Sequence, residues 1–193
     1  WGKDIEKNGP YQKFKTLTAG AYQQDGSWAD AENKYIDTNP YVDAFMKWWP
    51  DLSKDLQTLR ITGGEPSTSP NFWKFLDMIR LDPKPHLNLS VNSNLGVKDG
   101  LIDKLIETTN VLELGSYDIY TSNEAYGIHA DYLRDGMIYD KWRNNVIRMI
   151  EEANIRQLVV MMTVTGLSLM SITEFMDDMM VLKKKYGKNM PTL

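Results

Sequence analysis

The pentapeptide Thr62-Gly63-Gly64-Glu65-Pro66 is the densest concentration of chemistry in the chain. Two adjacent glycines let a backbone approach a ligand closely and adopt dihedrals closed to other residues. A carboxylate beside exposed backbone carbonyls offers only acceptors, which suits a bound ammonium group. The same residues also make a plain strand-to-helix turn, and a bare Gly-Gly pair carries no more than that. The full motif at the end of a strand favours a site. No cysteine occurs among the 193 residues, which excludes disulfides, thiolate nucleophiles and cysteine-held metals within them. Histidine occurs at His86 and His129 only, without metal-ligand spacing, so no self-contained metal site is expected. A GxGxxG dinucleotide fingerprint is also absent.

Positioning such a loop takes alternating strands and helices, and the pattern from Pro40 onward supplies them. Asn39-Pro40 opens a helix whose face carries Val42, Phe45, Met46 and Trp49. Leu56 to Thr62 reads as a strand, and Ser69-Pro70 opens a helix with Phe72, Phe75, Leu76 and Ile79 on one side. His86 to Asn92 is the next strand, followed by a stripe of Leu101, Ile102, Leu105 and Ile106. Val111 to Ser116 reads as a third strand, and Trp142, Val146, Met149 and Ile150 mark a helix face. Arg156 to Thr165 reads as a fourth strand, apolar on both sides. Ser171 and Glu174 form a capping box for a last helix with Ile172, Phe175, Met176 and Met179 buried, a lysine run at 183–185 and Gly187 as its C-terminal cap.

This alternation predicts an α/β fold with a parallel sheet, either open and doubly wound or part of a β/α barrel, with ligands at the C-terminal strand ends in both cases. In the strand at Leu87, Leu89 and Val91 alternate with Asn88, Ser90 and Asn92. One face of that strand is therefore expected to line a polar cavity, or the strand to lie at a wet edge. Residues 1–39 are polar and weakly periodic, and read as an irregular segment. The net charge of −4, from 22 Lys+Arg against 26 Asp+Glu, does not suggest a nucleic-acid binder. With 42% hydrophobic residues, no membrane-spanning run and no signal-peptide pattern, a cytoplasmic protein is expected.

ITGGEPSTSPNFWKFLDMI resembles the second strand, loop and helix of radical S-adenosylmethionine enzymes. VNSNLG, EAYGIHADYLRDG, YDKWRNNV and RQLVVMMTVTGLSL are similar, in order, to their twitch/SPASM-like subgroup, and the resemblance covers roughly residues 40–187. It implies a partial (β/α)6 TIM-like barrel with strands two to five present over residues 40–193 and the first and sixth missing. The family holds a 4Fe-4S cluster with a C-x3-C-x2-C loop that this chain lacks, and residues 1–39 resemble the segment after that loop. No catalytic residue and no metal ligand is expected here. The implied activity, for the full-length protein and not for this stretch alone, is reductive cleavage of S-adenosylmethionine to a 5′-deoxyadenosyl radical. That radical abstracts hydrogen from an unknown substrate, and an electron donor is the implied partner.

The resemblance also implies site roles. Gly63, Gly64 and Glu65 match the motif that receives the methionyl ammonium, and Asn94 matches a polar group near the cofactor. Ser122 and Glu124 resemble the groups that bond ribose hydroxyls, with the choice between them open. Arg134 matches the arginine that pairs with the methionyl carboxylate, a job its fork geometry suits. The alternatives are ordinary: a turn at Asn94-Leu95-Gly96, a helix-start charge at Glu124, and a surface pair of Arg134 with Asp131 or Asp135. At the level of the whole chain the alternatives are a cluster-less nucleotide-binding relative, or an unrelated α/β domain with a structural TGGEP turn.

Overall fold

A computed structural model describes residues 40–134 and 136–187. The chain divides into two units, residues 1–52 and 53–193. In the first, the described part is helix α1 (Pro40–Leu52), where Phe45 and Trp49 touch ring to ring at 5.8 Å. The expected irregular segment over 1–39, with Asn39 as a cap, lies outside the described residues.

The second unit alternates strands and helices throughout: β1 (Thr58–Ile61), α2 (Pro70–Leu81), β2 (Lys84–Asn92), α3 (Asp99–Val111), β3 (Leu114–Ser122), α4 (Gly127–Leu133), α5 (Tyr139–Glu152), β4 (Gln157–Met161) and α6 (Ile172–Tyr186). The strands form one parallel sheet in the order β1-β2-β3-β4. Among the described strands the order never reverses, as it would at the switch point of a doubly wound sheet. With the right-handed crossovers that parallel strands take, a sequential order puts the helices on one face. That face is dry: Leu87, Leu89, Val91, Tyr117, Ile119, Thr121, Leu158 and Val160 are all 3% exposed or less. Helices α2 and α5 bury the expected stripes, Phe72, Phe75, Leu76 and Ile79 in one and Trp142, Val146, Met149 and Ile150 in the other. Burial of these side chains is the main stabilising term, each contributing about 1.5–3 kcal/mol. Inside the dry layer Trp142 Nε1–H donates to Thr121 Oγ1 at 3.0 Å, tying α5 to β3. The Tyr139 hydroxyl and Arg143 both donate to Asp178, tying α5 to α6. Burial, with that acceptor, pushes the Tyr139 hydroxyl pKa up.

The opposite face carries Thr58 and Arg60, Asn88, Ser90 and Asn92, and Ser116, Asp118, Tyr120 and Ser122 in matching register. The polar alternation in β2 is therefore not that of an edge: β2 is paired on both sides. The third strand begins later than expected, at Leu114 instead of Val111. Helix α3 instead continues through Thr108 and Thr109 to Val111, with the two hydroxyls donating to the carbonyls of Lys104 and Ile106. The fourth strand is shorter than expected and half-buried, because Val159 and Met161 lie on the polar side. In α6 the buried stripe is Phe175, Met179 and Leu182, while Met176 is exposed. The expected capping box is not formed: Ser171 Oγ instead accepts from Tyr126 N at 3.0 Å, across the fold. Gly187 does close α6, at φ +65°. Among the described residues no helix is long and apolar enough to cross a membrane.

The register of β2 and β3 shifts between Lys84 and Asn88, and there is little room between the strands at that point. A Cβ on Gly115 would sit 2.9 Å from the Pro85 carbonyl oxygen and 3.3 Å from that of Leu87. Gly115→Ala should therefore push the two central strands apart and destabilise the protein by about 1–3 kcal/mol, read as a lower urea midpoint at unchanged slope. An unchanged midpoint would mean the strands can separate there at no cost.

Candidate functional site

The loops after β1, β2 and β3 gather at the C-terminal edge of the sheet, and a carboxylate organises the first two. Glu65 Oε1 accepts from Ser67 N at 3.2 Å, Ser67 Oγ at 2.7 Å and Ser93 Oγ at 3.0 Å. Its Oε2 accepts from Asn94 N at 2.7 Å and shares the Ser93 hydroxyl at 3.1 Å. A carboxylate has about four lone-pair positions, so Glu65 is largely occupied by the protein itself. It caps the short 3-10 turn Pro66–Thr68 and fastens the β1 loop to the β2 loop.

The glycines before it differ from each other. Gly63 has φ +128°, a conformation other residues rarely adopt, whereas Gly64 carries no such constraint. Nothing lies within 4 Å of a Cβ built on either residue, and both are exposed. Among the described residues no hydrogen bond uses a backbone group of either glycine. Their carbonyls are therefore open acceptors at a strand end.

The β2 loop is held in an unusual shape. Leu95 is fully buried at φ +51°, and Asn145 of α5 donates to its carbonyl at 2.7 Å. Asn94 Oδ1 accepts from Gly96 N at 2.8 Å, so the turn reading of Asn94-Leu95-Gly96 describes the local geometry. Asn94 and Gly96 also line a cavity of about 310 Å³ with Leu133, Arg134, Gly136 and Met137.

At the end of β3 the fully buried Asn123 accepts from Glu124 N and Ala125 N through Oδ1, while its Nδ2 finds no partner in the structure. Two amide donors on Oδ1 fix the orientation of the side chain. Arg134 donates from Nε at 2.9 Å and Nη2 at 2.6 Å to Glu124 Oε2. Glu124 is thus paired with Arg134 and not merely a charge near a helix start. Asp131 is not the arginine's partner either, since its Oδ1 accepts from Tyr139 N and caps α5; Asp135 lies outside the described residues. Arg134 keeps three of its five N–H donors, and Glu124 Oε1 takes no hydrogen bond among the described residues.

Glu65 with Asn94 and Arg134 with Glu124 thus form two hydrogen-bonded pairs, and Asn94 and Arg134 meet as lining residues of one cavity. Gly63 and Gly64 border it in sequence without touching Arg134, and Ser122 lies opposite Met161 in the ladder, outside the contacts described. Ser67, Ser93 and Asn123 were not singled out in the sequence, although each immediately neighbours a residue that was. A larger groove of about 740 Å³ lies between α2 and α3, where the Lys104 ammonium sits 4.1 Å over the Trp73 ring, but it contains none of the expected site residues. No cluster of three or more His, Cys, Asp or Glu suited to a metal occurs among the described residues.

No family model matches the chain, and neither a curated protein nor a solved structure matches it significantly.

If Glu65 fastens two loops, Glu65→Gln should be costly even without a ligand. An amide would turn a donor toward Ser67, Ser93 and Asn94, which themselves donate. The loss should be roughly 1–3 kcal/mol, measured by urea unfolding, while Gly64→Ala in the same loop should lie within about 0.5 kcal/mol of the parent. Equal effects from the two changes would remove the fastening role.

Proposed function

We propose that this chain is the S-adenosylmethionine-binding core of a radical enzyme, its sheet the middle of a partial (β/α)6 barrel. The sequential parallel order with helices on one face supports the barrel, because a closed sheet needs every crossover on the outside. The observation that carries the binding proposal is the 310 Å³ cavity bordered by Asn94 and by an Arg134 whose outer donors take no hydrogen bond among the described residues.

The residues present fit the organic cofactor. The unbonded carbonyls of Gly63 and Gly64 can accept from its ammonium. Glu124 holds the Arg134 guanidinium through Nε and Nη2, so the opposite edge of the fork can take a carboxylate in bidentate fashion. The free Oε1 of Glu124 can accept a ribose hydroxyl. Glu65 then acts by setting the shape of the loop. The cofactor supplies hydrogen-abstraction chemistry when reduced, and this chain supplies binding and placement. The residues present do not fit the iron–sulfur cluster, since the chain has no thiolate, and no step through a cluster is derived from them.

One observation favours a second reading. Glu65 is bonded by four protein donor groups without any ligand, as a purely structural TGGEP turn in an unrelated α/β domain would be.

Calorimetry separates the two. S-adenosylmethionine should bind the chain, and Arg134→Ala should weaken binding by roughly 1.5–3 kcal/mol. Gly63→Val should abolish it, because the left-handed backbone there is closed to a β-branched residue. Absence of binding to the parent would leave the structural turn. In parallel, anaerobic incubation with iron and sulfide should leave the chain without a cluster, and stoichiometric bound iron would overturn the account of its ligands.

A further inference from the structure

Five of the six described arginines pair with a carboxylate. Arg60, in the middle of β1 on the polar face of the sheet, pairs with none among the described residues. It is nevertheless not a loose surface side chain. Its Nε–H donates to Asn92 Oδ1 at 3.1 Å, its Nη2 reaches Met161 Sδ at 3.6 Å, and its guanidinium carbon lies 4.1 Å from the centroid of the Tyr120 ring. Arg60 stands on β1 and Met161 on β4, so the arginine side chain reaches over the polar face of β2 and β3.

The register partner of Arg60 is Ser90, yet its head is held by Asn92 and Tyr120, one row further toward the strand ends. The guanidinium therefore leans toward the edge where Gly63 follows. Two of its five N–H donors are used and three remain. Asp118, the carboxylate on this face nearest in register, is taken by Arg156 and Gln157 and leaves Arg60 uncompensated. A guanidinium meant only for solvent needs neither a ring beneath it nor an acceptor fixing its Nε.

We propose that Arg60, held flat by Tyr120 and Asn92, is an anchor for the carboxylate or phosphate group of a small organic ligand bound on the polar face of the sheet. Stacking fixes the plane of the fork and Asn92 fixes its rotation, so the three remaining donors present one preformed edge to an oxyanion. The anchor does not rest on S-adenosylmethionine being the cofactor, since none of these residues belongs to the cavity beside Arg134.

The test is a titration of malonate, and separately of inorganic phosphate, into the ¹⁵N-labelled full chain at ionic strength held constant with sodium chloride. The arginine Nε–H signals are followed, with the Arg60 signal assigned by its loss in Arg60→Lys. The Arg60 signal should shift saturably while those of the paired arginines do not. A response to malonate alone identifies a carboxylate ligand, to phosphate alone a phosphate, and to both an anchor for either. Arg60→Lys keeps the charge but loses the fork, and should weaken binding about tenfold. Asn92→Ala keeps every charge and should weaken it several-fold by releasing the guanidinium. An Arg60 signal that moves no further than the other arginines with both anions would overturn the proposal. So would an affinity indifferent to both substitutions. Because no cofactor is present, either result leaves the S-adenosylmethionine reading untouched.

Discussion

Four parallel strands taken in sequence order leave their crossover helices one face to occupy, and the remaining architecture follows from that. Most helix-facing residues of β2, β3 and β4 are accordingly apolar, as Leu87, Leu89, Val91, Ile119, Leu158 and Val160 are, and the one threonine there, Thr121, is bonded to Trp142. The intervening residues are released from packing against helices and carry hydroxyls, amides, an acid and an arginine. On that side Asp118 is paired with Arg156, while Arg60 has no carboxylate partner among the described residues. The price of one-sided packing falls on polar groups stranded in the dry layer. The Tyr117 hydroxyl has no partner in the structure, and burial pushes its pKa up.

Carboxylates do most of the fastening at the strand ends. Glu65 joins the first loop to the second, Asp131 closes the start of α5, and Glu124 holds Arg134. Asn145 reaches from α5 to the carbonyl of Leu95 and so keeps a buried leucine in a left-handed conformation. A loop shaped in this way presents its backbone in a fixed pose, and little further ordering is required when a ligand arrives.

The helices α2 and α5 were legible because their apolar residues recur at helical spacing and nothing competes with that signal. The α/β alternation was legible for the same reason. The extent of strand β3 was not, since Ser116, Asp118 and Tyr120 break its apolar run and the helix before it continues through two threonines. Sequence pattern also could not assign partners. Glu65 reads as a ligand group until four donor groups are found around it, and Ser171 reads as a helix cap until Tyr126 takes its hydroxyl. Arg60 gave no signal at all, because an arginine in a strand becomes informative only when its neighbours across the sheet are known. The polar alternation of Asn88, Ser90 and Asn92 was the nearest hint, and it pointed to the correct face.

Sequential order has a further consequence for how the chain acquires its structure. Each strand pairs with the one made just before it, so no strand must be inserted between two that have already met. During synthesis a finished β-α unit offers the next strand a ready edge, and the sheet can lengthen in the direction of translation. Contacts between successive units are of moderate sequence separation, which keeps the entropy of each addition small and alike. Strand order thus doubles as an assembly order, with the polar face widening by one row of side chains at every step.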